Sequence, residues 1–188
     1  MSDDRRARLR AEAREWAALA PPVPQEWFTR PSYLHGVTHT QRVHVHVQRL
    51  AGALGWGAGD TDLALRAALW HDIGRLDDGI DPEHGARSVA RIEHLGLSRA
   101  LTPAEERIVL FAVRYHPLPD DDALACAEET LWPDAERALR VLWLLKDADA
   151  LDRVRLGWGE SADPQMLRHE EARRLLPFAG ALYAALGP

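Results

Sequence analysis

Apolar residues recur three or four positions apart along most of the chain, the period of an amphipathic helix. In segment 39–54, His39, Val43, Val47, Leu50 and Leu54 fall on one face. In 61–72, Leu65, Leu69 and Asp72 recur likewise, with Ala68 beside them. In 136–152, Leu142, Leu145, Asp149 and Asp152 share a stripe. Segments 3–20, 84–95, 102–116 and 166–186 also read as helices. Thr102-Pro103-Ala104-Glu105 has the form of a helix start: a hydroxyl N-cap, proline at the first helical position and acidic residues in the first turn. PPVPQEW at 21–27 separates the first helix from the rest. Alternation of the strand type is confined to RVHVHVQ at 42–48, inside a longer helical pattern. There is no internal repeat. The pattern predicts an all-α fold, a single helical bundle spanning residues 1–188.

Composition adds limits. A chain of 188 residues is long enough for one domain with a real core. Cys126 is the only cysteine, which excludes an intrachain disulfide and fits a reducing, cytoplasmic setting. The N-terminal stretch MSDDRRARLRAEAREW is charged, without a signal-type apolar core, and no apolar run approaches the ~20 residues of a membrane span. A net charge of -6 argues against an extended nucleic-acid surface. It leaves room for a small anionic substrate, because a bound divalent ion dominates its local field. Lys146 is the only lysine among 23 basic residues. Either the sequence is biased toward arginine and Lys146 is incidental, or its place beside Asp149 gives it a role.

The candidate chemistry lies in the polar residues that interrupt the apolar stripes. His71-Asp72 ends the apolar run LALRAALW, offering one nitrogen and one carboxylate from a single helix end. His39 upstream and Asp149 downstream lie on two other helices and would complete the shell of a divalent cation. Nitrogen and oxygen ligands together suit Zn, Mn, Fe, Ni or Co, and tolerate Mg if water fills the rest. Such an ion with an open position makes water a nucleophile near neutral pH. No Walker-type phosphate loop and no GxSxG elbow is present, and Cys126 sits in a helix-like apolar patch that suits packing.

Five stretches carry a family resemblance: HGVTHTQRV at 35–43, HDIGR at 71–75, DPEHG at 81–85, RYHP at 114–117 and KDADALD at 146–152. In this order they resemble the HD superfamily of metal-dependent phosphohydrolases, over about residues 32–155. The resemblance implies a compact helical HD-type domain in which His39, His71, Asp72 and Asp149 hold a metal ion. Asp149 is preferred to Asp147 because family motifs of the form ADxL place the ligand after alanine, and because Asp149 shares the stripe of Leu142 and Leu145. Members with two metals add histidines after the His-Asp pair, which implicates His84 and His116, with Asp72 bridging. The opposing reading makes His84 an exposed helix-start residue and His116 a C-terminal cation favoured by the helix dipole.

The implied reaction is in-line attack of water on phosphorus, with one or two divalent ions and with Asp72 as a proton acceptor. Arg75 and Lys146 are the further candidates for charge stabilisation. His35, Arg42 and Arg114 are the candidates for substrate contact, arginine being suited to phosphate. Asp77 and Asp78 read as a polar loop, and His44, His46, His94 and His169 as surface residues. The substrate class is a nucleotide or a related phosphorylated metabolite. The GYP element of the cyclic-dinucleotide branch is absent, which favours a small stand-alone hydrolase; a homo-oligomer stays open. Two other classes remain: a non-catalytic metal- or nucleotide-binding sensor, and a di-iron oxygenase of HD type.

Overall fold

A computed structural model describes residues 2–156 and 163–187. Within these residues the chain forms eight α-helices and three short 3-10 turns, with no strand. The helices are α1 (Asp3–Ala17), α2 (Val37–Ala53), α3 (Ala58–Trp70), α4 (His84–Leu95), α5 (Pro103–Tyr115), α6 (Asp120–Thr130), α7 (Ala135–Leu151) and α8 (Glu170–Leu186). The all-α expectation holds. Seven helices match the segments set out by periodicity; α6 is the addition, and it carries the helix-like patch around Cys126.

Local chemistry sets the boundaries. At α5 the Thr102 hydroxyl, the N-cap expected from the sequence, accepts from the Glu105 amide, and the Glu105 carboxylate accepts in return from the Thr102 amide. Helix α4 stops at Gly96, which takes a left-handed φ of 65° to close the last turn.

Helices α2, α3, α5 and α7 form the centre of the bundle, with α4 on α5, α6 on α7 and α8 across α2. Their shared core contains Val43, Val47 and Leu50 of α2, Ile108 and Val109 of α5, and Leu142, Leu144 and Leu145 of α7. The face of α3 is lined by Ala64, Ala67 and Ala68, all fully buried. Small side chains there let the α3 backbone approach its neighbours closely. A smaller apolar cluster, built on Ala13, Val45, Phe178 and Leu182, fastens α1 and α8 to the outer side of α2. Helix α2 is therefore covered on two sides, and His46, expected at the surface, is fully buried against Phe178 with ring centroids 6.0 Å apart.

Two glycines bring backbones together around the His-Asp segment. A Cβ on Gly74 would stand 2.2 Å from the Ser88 amide nitrogen, and one on Gly85 would stand 2.4 Å from the Arg114 carbonyl oxygen. Ser88 stitches the first contact: its hydroxyl donates to the His71 carbonyl (2.7 Å) and accepts from the Gly74 amide (2.9 Å). The turn after α3 is thus locked onto α4, and α4 onto the end of α5.

Candidate metal centre

The core of the bundle holds a polar cluster that its apolar surroundings do not explain. His39, His71, Asp72, His84 and His116 are all buried. They come from α2, the end of α3, the start of α4 and the end of α5. Asp149 of α7 completes the group and keeps 33% of its side chain exposed. The residues are remote in sequence yet converge, and three sets of ligand atoms lie within 4.8 Å of one another: His35-His39-Asp72, His39-His71-Asp149 and His71-Asp72-His116.

The tautomers follow from what each ring's Nδ1 touches. His39 Nδ1 lies 2.7 Å from Asp152 Oδ2. His71 Nδ1 lies 2.7 Å from the Ala68 carbonyl and His116 Nδ1 2.7 Å from the Val113 carbonyl. His84 Nδ1 meets the Asp81 carbonyl. Carbonyls and carboxylates only accept, so each Nδ1 carries the hydrogen. In the neutral rings every Nε2 then presents a lone pair, and the lone pairs face each other: His39 to His71 at 3.1 Å and His84 to His116 at 2.8 Å. Such pairs repel unless positive charge lies between them. An ion about 2.1 Å from each ligand sets neighbouring ligands about 3 to 3.4 Å apart, close to these spacings. The donor set therefore fits a divalent cation.

Asp72 divides its carboxylate between the two pairs. Oδ2 lies 3.5 Å from both His39 Nε2 and His71 Nε2. Oδ1 lies 3.0 Å from His84 Nε2 and 3.5 Å from His116 Nε2. Burial works against its ionisation, but His71, His116, His35 and His39 outweigh it, and the carboxyl stays well below its usual pKa. Asp149 adds a second carboxylate on the His39 side, with Oδ1 3.3 Å from His39 Nε2. The same fields act on the rings. Burial pushes His71 down to about 3, because a charge there is hard to solvate. Burial and Arg155 also oppose a proton on His39, yet hydrogen bonds to Asp149, Asp152 and Asp72 prevail and raise it to about 9.

Not every sequence expectation lands here. His35 does: it is half-buried, with Nδ1 3.1 Å from Asp72 Oδ2. Arg75 does too, with Nε 3.0 Å from Asp72 Oδ1 and Nη1 3.2 Å from the Gly79 carbonyl. His84 and His116 are both buried at the cluster, their Nε2 atoms 2.8 Å apart. Arg42 is a correction. It is 1% exposed and gives Nε and Nη2 to Asp152 at 2.6 and 3.1 Å, so its fork is spent on a carboxylate behind His39. Lys146 is another: its ammonium donates to the Leu118 carbonyl and to Asp120, both at 2.6 Å, tying down the chain beyond His116. Arg114 is exposed on α5. Two residues before His116, it projects from nearly the opposite side of the helix. Asp147, passed over in favour of Asp149, is fully buried and holds the Arg168 and His169 amides, so His169 is anchored while a quarter of its side chain stays exposed. Asp77 accepts from the Gly79 amide within its loop, as expected of a turn residue.

Two residues near the cluster escaped sequence reasoning. Asp152 is fully buried and anchors both His39 and Arg42. Arg155 sits beside His35, its Nη2 3.2 Å from the ring Nδ1. A signal was present: 149, 152 and 155 continue the three-residue spacing of the ligand-bearing face of α7.

Neither the curated proteins nor the solved structures give a match to this chain. The family model described as HD domain matches residues 36–154, a span that opens three residues before His39 and closes five after Asp149. With His39, His71-Asp72 and Asp149 brought together inside that span, the chain belongs to the HD-domain superfamily of metal-dependent phosphohydrolases.

Proposed function

We propose that this protein hydrolyses a phosphoester or phosphoanhydride of a nucleotide or similar small phosphorylated metabolite, using one or two divalent ions that the His/Asp cluster around Asp72 would hold. The observation that carries the proposal is the divided Asp72 carboxylate, with one imidazole pair facing each oxygen. His39, His71, Asp149 and Asp72 Oδ2 would hold one ion; His84, His116 and Asp72 Oδ1 would hold the other. Bound divalent metal supplies Lewis acidity, which polarises phosphoryl oxygens and makes water nucleophilic near pH 7.

The chain's own groups do the rest. The carbonyl-anchored rings of His71, His84 and His116 fix ligand orientation before substrate arrives, so no rearrangement is needed in the transition state. Asp149, one-third exposed, marks the side from which substrate and water enter. Asp72 would serve as a shared metal-holding carboxylate between the two imidazole pairs. His35, at the rim with Nδ1 against Asp72 Oδ2, would help orient that carboxylate. Arg75 offsets charge on the substrate from the same rim, next to a cavity lined by Arg30, Ser32 and Asp78.

A screen for phosphate and pyrophosphate release over nucleoside mono-, di- and triphosphates, each with Mn, Mg, Co, Ni or Fe, tests the proposal. Metal-dependent release from one substrate class, abolished by chelation, is expected. A parallel oxygen electrode addresses the di-iron alternative. Oxygen consumption without phosphate release would move the protein to that class. Tight nucleotide binding with neither reaction would make it a sensor.

A further inference from the structure

The cations nearest the cluster differ in how their donors are used. Arg42 is fully committed, to Asp152 and to the Gly187 carbonyl. Lys146 is held by Leu118 and Asp120. Arg75 directs Nε to Asp72 and Nη1 to Gly79. Arg155 stands apart. Its side chain is only 5% exposed, and Nε and Nη1 are buried with no hydrogen-bond partner among the described residues. Nη1 faces Asp152 Oδ2 at 3.7 Å, an ion pair too long to be a hydrogen bond. Asp152 is moreover shared with His39 and Arg42. A buried guanidinium with two idle donors is an expensive arrangement, and it becomes favourable once an anion arrives. His35 Nδ1 lies 3.2 Å from Arg155 Nη2 and 3.1 Å from Asp72 Oδ2, so the guanidinium is one ring away from the Asp72 carboxylate. Arg155 also lines a small cavity with Tyr33, Leu34, Arg42 and Tyr183.

We infer that Arg155 is a phosphoryl-binding residue of this site, giving a guanidinium N–H to a substrate oxygen. The inference rests on the phosphohydrolase reading and narrows its substrate class to terminal phosphoryl groups, either monoesters or the ends of polyphosphates. A terminal phosphoryl dianion has oxygens for the metal side and for Arg155 at once. A diester carries a single negative charge on two unesterified oxygens, leaving little for a guanidinium beyond the metals.

The test is calorimetric titration of inorganic phosphate into the full chain loaded with Mn2+, comparing wild type with Arg155→Met and Arg155→Lys. Wild type is expected to bind phosphate. Arg155→Met should weaken that binding tenfold or more and Arg155→Lys by less, while Mn2+ stoichiometry and affinity stay at the wild-type level in both. In turnover the loss should appear mainly in KM. Equal phosphate affinity in wild type and Arg155→Met overturns the role of Arg155 and leaves the phosphohydrolase reading standing. Failure of the loaded wild type to bind phosphate overturns both. Loss of Mn2+ from Arg155→Met would mean that Arg155 only positions His35 and Asp152, which also overturns the inference. If Arg155→Met does not fold, Arg155→Lys decides, and unchanged phosphate affinity there ends the proposal.

Discussion

At the scale of single residues, Asp72 is the group whose loss should be most complete. Asp72→Ala removes the carboxylate shared by both imidazole pairs, so metal-dependent turnover should fall to background. The helical circular dichroism should persist, because the residue lies in a turn and holds up no apolar contact. Turnover near wild type at saturating metal would sink the mechanism. Asp152 acts one step further out. It fixes the His39 tautomer and neutralises Arg42, both fully inside the bundle. Removing such an outer partner lowers metal affinity by about 10–100-fold. Removing one partner of a buried charge pair costs about 3–5 kcal/mol. Asp152→Ala should therefore show both effects, in a metal-competition titration and in a urea melt; normal metal affinity with lowered stability would make Asp152 a purely structural carboxylate. The ligand-type residues were legible in the sequence because an acid or histidine on an apolar stripe is conspicuous, as Asp149 is beside Leu142 and Leu145. Asp152 lies on the same stripe, but its meaning comes from His39, which is 113 residues away. Arg42 was misread for the same reason: sharing a helical side with His39 places it near the metal, and only the buried Asp152 decides that it points behind the ligand.

At the scale of elements, the glycines of HDIG and EHG decide how the two halves of the cluster meet. Gly74 lets the turn after α3 lie against α4, and Gly85 lets α4 lie against the end of α5. In each case the near atom is backbone, which cannot swing away as a side-chain tip can. An added methyl must push one element off the other, an overpacking strain of about 1–3 kcal/mol. The strain falls on the side that carries His84 and His116. Gly85→Ala should thus lower the melting temperature and release about one metal per chain, while His39, His71 and Asp149 keep theirs. Direct substitution gives the comparison: His84→Ala and His116→Ala should each lose one ion with little change in stability. If Gly85→Ala keeps full metal content, α4 is not positioned by this contact. The helices themselves were readable, since period and caps are local properties of a dozen residues. The missing one was α6, an 11-residue helix whose acidic first turn, Asp120-Asp121-Asp122, suits a helix N-terminus and whose apolar face is short.

At the scale of the whole molecule, α2 is enclosed by the central bundle on one side and by the α1–α8 layer on the other, and this buries a histidine that no single-helix reading would bury. His46 has both ring nitrogens without a hydrogen-bond partner among the described residues. Burial pushes its pKa down to about 4; Asp152 pulls it up, while Arg42, Arg49 and His39 push it further down. Its folded value lies below the ordinary 6.5, so the unfolded chain binds the proton first as pH falls. His46 then adds nothing to the pH dependence at pH 7. It destabilises the fold progressively below about 6.5, reaching about 2 kcal/mol by pH 5 and about 3 kcal/mol once pH drops below its folded pKa. His44, also lowered to about 4 by burial, titrates in the same window, so the acid sensitivity of wild type is not assignable to one ring. The difference between wild type and His46→Leu isolates it. Leucine fills a similar volume and removes two unpaired polar atoms from an apolar contact, so at pH 7 the variant should be as stable as wild type or more so. Between pH 7 and pH 5 it should lose about 2 kcal/mol less than wild type in metal-free urea melts. Parallel losses in the two proteins would mean that His46 finds a proton partner in the fold, and that the α1–α8 layer seals α2 less tightly than its packing against Phe178 indicates.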